Sequence, residues 1–141
     1  MNELHIEYTE DLSEAADAKM TEGHENYERE NGIEINFKNF SFTLSDEKGE
    51  VFGVLSAYTA YSEIYVEDLW VDESLRQKGY GRKLLQTLED YFDGKGYNNI
   101  NLVTNEFQAP LFYKKCGYDI EFVRVNKSNS KLTKTFFIKY L

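Results

Sequence analysis

One cysteine in 141 residues leaves the chain without an internal disulfide and without a multi-cysteine zinc site. One proline excludes a proline-rich linker, and nine glycines are too few for a glycine-rich low-complexity chain. No apolar run approaches the roughly 18 residues that a membrane span needs. The N-terminal stretch is acidic and lacks the basic-then-apolar pattern of a secretion signal. The expected address is therefore the cytoplasm. Basic residues are scarce too, with 16 Lys and Arg against 25 Asp and Glu and a net charge of -9. That excludes general nucleic-acid binding, because phosphate contacts need a basic surface.

The charge is uneven along the chain. Residues 1–75 carry 19 acidic and 4 basic residues, or -15, and residues 76–141 carry 6 acidic and 12 basic, or +6. Such halves suit either two solvated faces or a site with one side for an anion and the other for a cation. Hydrophobic residues at 41% and charged residues at 29% are those of a globular chain, not a disordered one. The length fits one domain with its own core, taken here as 1–141.

Periodicity outlines the elements. Leu4 to Tyr8 alternates as a half-buried strand does. From Asp11 to about Asn31 the spacing predicts a helix with a thin apolar face, started by Asp11 or Ser13 and ended by Asn31-Gly32. Residues 37–61 read as a hairpin around Ser45-Asp46-Glu47-Lys48-Gly49. Ile64 to Val71 is a further strand. Strict alternation puts Ile64, Val66 and Asp68 on one face and Tyr65, Glu67, Leu69 and Val71 on the other. Gly79 to Phe92 then places Leu84, Leu85, Leu88, Tyr91 and Phe92 at helical spacing. Asn99 to Val103 is a strand, and a short helix follows from about Gln108 to Lys115. Pro110 sits in that helix's first turn, where its missing N–H costs nothing. Tyr118–Val125 and Lys134–Leu141 are two closing strands. Early hairpins and later strand–helix–strand units predict an α/β (α+β) fold. Its sheet is mixed, mostly antiparallel, of six to seven strands, and flanked by helices.

The chemistry-bearing segment is Arg76-Gln77-Lys78-Gly79-Tyr80-Gly81, between a strand and a helix. Backbone N–H groups at a helix start lack intrahelical partners, and the dipole adds partial positive charge. Glycine keeps side chains out of the way of a bound diphosphate. Arg76, Lys78, Arg82 and Lys83 surround the turn with positive charge. A P-loop would need Ser or Thr after Gly-Lys, and a dinucleotide loop a third glycine where Leu84 stands. A tight turn with no ligand is the plain alternative.

This segment matches the Arg/Gln-x-x-Gly-x-Gly/Ala signature of the GCN5-related N-acetyltransferases. Leu69-Trp70-Val71-Asp72 resembles the family's fourth strand. The run Phe107-Gln108-Ala109-Pro110-Leu111-Phe112-Tyr113-Lys114-Lys115-Cys116-Gly117-Tyr118 resembles its second motif. The resemblance is specific over residues 64–118 and architectural outside them. It implies acetyl-coenzyme A as co-substrate donor and a primary amine as acceptor. Backbone N–H groups from Gln77 through Lys78, Gly79, Tyr80 and Gly81 to Arg82 would hold the pyrophosphate. The strands at 64–71 and 99–103 would splay apart. The pantetheine arm would pair with the backbone of Leu69, Trp70 and Val71, the Val71 N–H polarising the thioester carbonyl. The family often has Asn seven residues before the tyrosine. Here that position is Glu106, with Asn105 beside it as a candidate for contact with pantetheine or acceptor.

Tyr113 matches the family's general acid: a phenol of ordinary pKa near 10 can protonate a departing thiolate. Tyr65 occupies the position of the glutamate base of some relatives. Glu67 lies two residues on and could accept the proton directly or through a water. A water chain, or an acidic side chain that only attracts the ammonium, are the other candidates. Cys116 lacks a histidine neighbour in the sequence and lies near a helix C-terminus, which disfavours a thiolate. His5 and His24 look like ordinary exposed histidines, and no metal site is expected. The acidic first half suits a cationic acceptor, the basic second half suits coenzyme A phosphates, and the closing strands offer a homodimer contact. A non-catalytic acyl-coenzyme A binding or sensing module on the same fold is the alternative of a different class.

Overall fold

The structure is a computed structural model that describes residues 3–108 and 110–141, so Ala109 of the second motif lies outside the described residues. The chain forms two compact units, one ending at Ile35 and the other running from Asn36 to Leu141.

In the first unit, helix α1 spans Glu14–Glu30. Of the two candidate caps, Ser13 does the work: its side chain accepts from the Ala16 N–H at 3.1 Å. Asn31 closes the helix, its N–H returning to the Tyr27 carbonyl. None of its side chains is buried, in keeping with the thin apolar stripe. Leu4 to Tyr8 is not a strand. Alternation makes a ribbon two-faced, but a strand needs a neighbour's backbone groups as partners. Here the segment pairs with nothing in a ladder, and Leu4, Ile6 and Tyr8 are exposed.

The second unit is a six-stranded sheet. Its strands are β1 (Lys38–Ser45), β2 (Val51–Ala60), β3 (Glu63–Val71), β4 (Asn99–Asn105), β5 (Asp119–Arg124) and β6 (Lys134–Tyr140), in the order β1-β2-β3-β4-β6-β5. All neighbours are antiparallel except β3 and β4, which are parallel. The mixed sheet is as expected, with six strands among the described residues. Helix α2 (Tyr80–Phe92) and the short α3 (Pro110–Lys115) complete the unit. Leu84, Leu85, Leu88 and Phe92 of α2 bury against Leu55, Ala57, Ile64 and Val66 of β2 and β3. Leu85 and Leu88 have no exposed surface, so each contributes about 2–5 kcal/mol against truncation to Ala. Tyr91 belongs to the same sequence stripe but is exposed, its ring edge-on to Phe42.

Two departures from regular pairing shape the site. First, β3 and β4 pair only at Glu63, Ile64 and Tyr65 with Asn99, Ile100 and Asn101. Beyond these three pairs each strand continues without the other, the splay that the resemblance implies. Second, the β2–β3 register shifts, so that Ala57 faces Val66 but Ser56 faces Asp68. Glu67 is the extra residue of a β-bulge. Past the bulge the strand's parity changes. Leu69 and Val71 oppose Leu55 and Gly53 and pack on the core, as Ile64 and Val66 do. Asp68 opposes Ser56, on the same face as the Tyr58–Tyr65 pair. The expected face assignment is thereby overturned for Asp68, Leu69 and Val71.

Candidate active site

The turn between β3 and α2 is built as a backbone cradle. Asp72 starts it by accepting from the Ser74 hydroxyl and N–H, and those bonds hold its carboxyl below the usual carboxylate range. Gln77 and Gly79 both take left-handed backbone conformations, with φ of 62° and 85°. For Gln77 that is a strained choice, for Gly79 a free one. Helix α2 then begins with no side-chain cap. Its first intrahelical bond runs from Lys83 N–H to the Gly79 carbonyl at 3.0 Å, so the N–H groups of Tyr80, Gly81 and Arg82 have no partner within the helix. A Cβ built on Gly79 would meet nothing within 4 Å, whereas one on Gly81 would stand 3.1 Å from Phe112 Cζ. The amides and open space fit a diphosphate, and Gly81 lets α3 approach.

A cavity of about 400 Å³ runs from this turn into the splay. Leu69 and Val71 line it from β3, and Arg76, Gln77, Gly79, Tyr80 and Gly81 from the turn. Tyr113 closes its far end, together with Gln108 and Phe112. Lys78 and Arg82 belong to the turn without lining the cavity. Arg82 Nη2 instead donates to the Lys115 carbonyl at 2.6 Å, and Arg76 Nε to the Val71 carbonyl at 3.1 Å. The Trp70 side chain lies off the cavity and is exposed. The backbone of this stretch is oriented by parity. Asp72 N–H bonds the Phe52 carbonyl of β2 at 2.7 Å. Alternate residues address opposite edges. The N–H groups of Leu69 and Val71 therefore face the edge that β4 leaves open.

A second, polar cavity of about 150 Å³ lies between the splayed strands, lined by Glu67, Asp68, Val103 and Thr104. It shares Leu69, Gln108 and Tyr113 with the first. Tyr113 thus stands where the two meet. Burial, then Cys116 and then Asp68, push its phenol up to about 12, so it keeps its proton across the neutral range. Burial likewise raises the Cys116 thiol, which leaves it a poor nucleophile. Tyr65 is raised by burial first, then by Tyr58, Glu67 and Asp68. Asn105 does not line either cavity. Its Nδ2 and its N–H both donate to Gln108 Oε1, each at 3.1 Å. Glu106 opens a short 3-10 turn, its N–H bonded to the Thr133 carbonyl at 2.9 Å.

Sequence reasoning misses Asp68 and Gln108. The signal for Asp68 is the phase slip of the apolar residues, from 64 and 66 to 69 and 71. Gln108 carries no such signal, because its place depends on the turn between β4 and α3. A larger cavity of about 480 Å³, among Phe40, Phe42, Tyr91 and Lys95, contains none of the expected site residues. Among the described residues no group of three or more His, Cys, Asp or Glu is placed to hold a metal ion. Among the same residues no helix is long and apolar enough to cross a membrane.

The model of the acetyltransferase (GNAT) family matches residues 2–118, across both units. The chain is 34% identical over 73 residues to a blasticidin-S acetyltransferase of Streptomyces morookaense. That match covers 51% of this chain and 54% of the relative, so the chain aligns with about half of that protein's length. An acetyltransferase from Bacillus cereus ATCC 14579 superposes with a TM-score of 0.79 at 29% identity, over 96% of this chain and 98% of that one. An aminoglycoside 6'-N-acetyltransferase complexed with coenzyme A shares the fold at a TM-score of 0.62 and 19% identity, over 86% of this chain and 85% of that one.

Proposed function

The chain belongs to the acetyltransferase (GNAT) family, and on that footing we propose that it is an acetyl-coenzyme A-dependent N-acetyltransferase acting on a primary amine. One observation carries this reading. An uncapped glycine turn opens into a cavity that ends at a protonated tyrosine, with a second, acidic cavity on the tyrosine's other side.

In this reading the N–H groups of Tyr80, Gly81 and Arg82 take the pyrophosphate, and the open backbone edge of Leu69 to Val71 takes the pantetheine arm. The Val71 N–H polarises the thioester carbonyl. Glu67 accepts the proton of the incoming amine and Asp68 beside it attracts the ammonium form. A nitrogen–carbon bond forms and the carbon–sulfur bond breaks; the proton lost by the amine to Glu67 is matched by one that the departing thiolate takes up from solvent, so the products are an acetylated amine and a free thiol. Tyr113 serves the departing sulfur. With its phenol pushed up to about 12 it is a weaker acid than a thiol near 8.5. It therefore offers a hydrogen bond with the proton still mainly on oxygen, rather than a full transfer at the outset.

Two adjacent carboxylates in the acceptor-side cavity support a cationic acceptor. In this reading the enzyme is cytoplasmic and residues 1–141 act as one catalytic domain. Two copies are proposed to pair through edge strand β5, whose Ile120, Phe122 and Val123 are exposed. A panel of amines with acetyl-coenzyme A and a free-thiol readout tests the activity. Thiol release that depends on a cationic amine is expected, and calorimetry showing no binding of acetyl-coenzyme A at millimolar concentration would sink the reading. Binding without thiol release from any amine would favour the sensing module instead.

A further inference from the structure

We propose that Gln108 is a catalytic residue: its side-chain amide donates a hydrogen bond to the thioester carbonyl oxygen, as a second donor beside the Val71 N–H. The proposal rests on the acetyltransferase reading above. Its first support is position. Gln108 lines both cavities and, with Leu69 and Tyr113, forms the short list of residues common to them. In the acetyltransferase reading the donor takes the first cavity and the acceptor the second, so the reacting atoms meet at the residues that both share.

Its second support is the fixed polarity of the amide. Gln108 Oε1 accepts from the backbone N–H of Asn105 at 3.1 Å and from Asn105 Nδ2 at 3.1 Å. A backbone N–H can only donate, so the atom it meets is the oxygen, and the other end of the amide is the NH2. Among the described residues nothing accepts from that NH2, which leaves two donors for a ligand. A donor whose carbonyl end is held by two bonds costs less reorganisation when negative charge grows on the thioester oxygen.

The neighbours cannot take the part. Glu106 lines neither cavity. Asn105 spends its amide on Gln108, which makes it a positioning residue. Tyr113 is committed to the sulfur. The step itself is unchanged in atoms and electrons. Gln108 keeps its protons and only shares one with the carbonyl oxygen as the C–N bond forms, before the C–S bond breaks.

The test compares wild type with Gln108→Glu, Gln108→Ala and Asn105→Ala, using thermal melts to check the fold. Gln108 is exposed, so the melts are expected to stay together. Calorimetry reads the affinities for acetyl-coenzyme A and for coenzyme A, which differ by the acetyl carbonyl. Gln108→Glu should lower the ratio of these affinities several-fold and kcat by about 10²-fold, the size seen for loss of one oxyanion donor. The neutral Gln108→Ala should lower kcat similarly and leave the acceptor KM in place. Asn105→Ala should give a smaller fall in kcat, and none further when added to Gln108→Glu. Retention of both kcat and the affinity ratio within about twofold in Gln108→Glu overturns the proposal, as does full additivity with Asn105→Ala. A wild type that binds no acetyl-coenzyme A instead fails at the first step and removes the acetyltransferase reading with it.

Discussion

Arg82, at the start of α2, reaches the end of α3: its Nη2 donates to the Lys115 carbonyl at 2.6 Å. The guanidinium thus meets the last carbonyls of the short helix that carries Tyr113, where a positive charge is favourable. In the proposed reading its charge serves the position of Tyr113 rather than a phosphate. Arg82→Gln is expected to lower stability by about 1.5–3 kcal/mol, the range for a hydrogen bond to a charged group. It should also lower kcat more than coenzyme A affinity. Denaturant titration and calorimetry check the two halves separately. Lost affinity with an intact kcat would return Arg82 to the phosphate side.

Tyr113→Phe removes the hydroxyl and keeps the ring, which packs on Phe112, Tyr118 and Phe137. Turnover is expected to fall by about 10²-fold or more, with coenzyme A affinity within a few-fold. In the wild type, ionisation of this phenol cannot cause an alkaline loss of rate below about pH 11, since its value lies near 12. A rate–pH profile of both proteins shows whether the alkaline limb survives the substitution.

The bulge places Glu67 and Asp68 in one cavity, and single substitutions tell apart their proposed roles. Glu67→Gln is expected to shift the acidic limb of kcat/KM and to lower the rate by roughly 10²-fold. Asp68→Asn should raise KM for a cationic amine and leave the limb in place. The reverse pattern transfers the role to Asp68, and an unmoved limb in both points to a water chain.

The Tyr118 hydroxyl is buried with no hydrogen-bond partner among the described residues. Such a group forfeits its bonds to water for nothing in return. Tyr118→Phe should therefore leave the melting temperature unchanged or raise it slightly. Burial first, then Glu89, raises this phenol as burial raises Tyr113. For both, the folded value lies above the unfolded value near 10, so their contribution to stability is whole below pH 10. It is lost above that, as the phenols ionise in the unfolded chain, through about 12 for Tyr113 and higher still for Tyr118. Denaturant midpoints taken from pH 9 to 11.5 should fall less steeply in Tyr118→Phe than in wild type.

Most of this architecture follows from local signals. The α2 stripe of Leu84, Leu85 and Leu88, the turn at Asp46–Gly49 and the glycines at 79 and 81 each act through a few neighbouring residues, and periodicity captures them. Leu4 to Tyr8 shows the limit of that method, since alternation is necessary for an edge strand and silent about a partner. The bulge shows a second limit. Strict parity carried through Val66-Glu67-Asp68-Leu69 sends Asp68 to the wrong face, although the apolar residues themselves change phase there. Gln108 was out of reach for a different reason. Its role comes from a bond to Asn105 across a short turn, and nothing in the composition of that turn marks it.

The early end of the β3–β4 ladder has a consequence for how this protein can vary. Past Tyr65 the strand leaves main-chain groups unpaired by β4, and the proposed grip on the donor uses these groups, which every amino acid except proline carries alike. Recognition written in peptide groups tolerates drift in the residues that bear them. Divergent sequences can then keep one grip on a shared donor while the walls facing the acceptor are free to specialise.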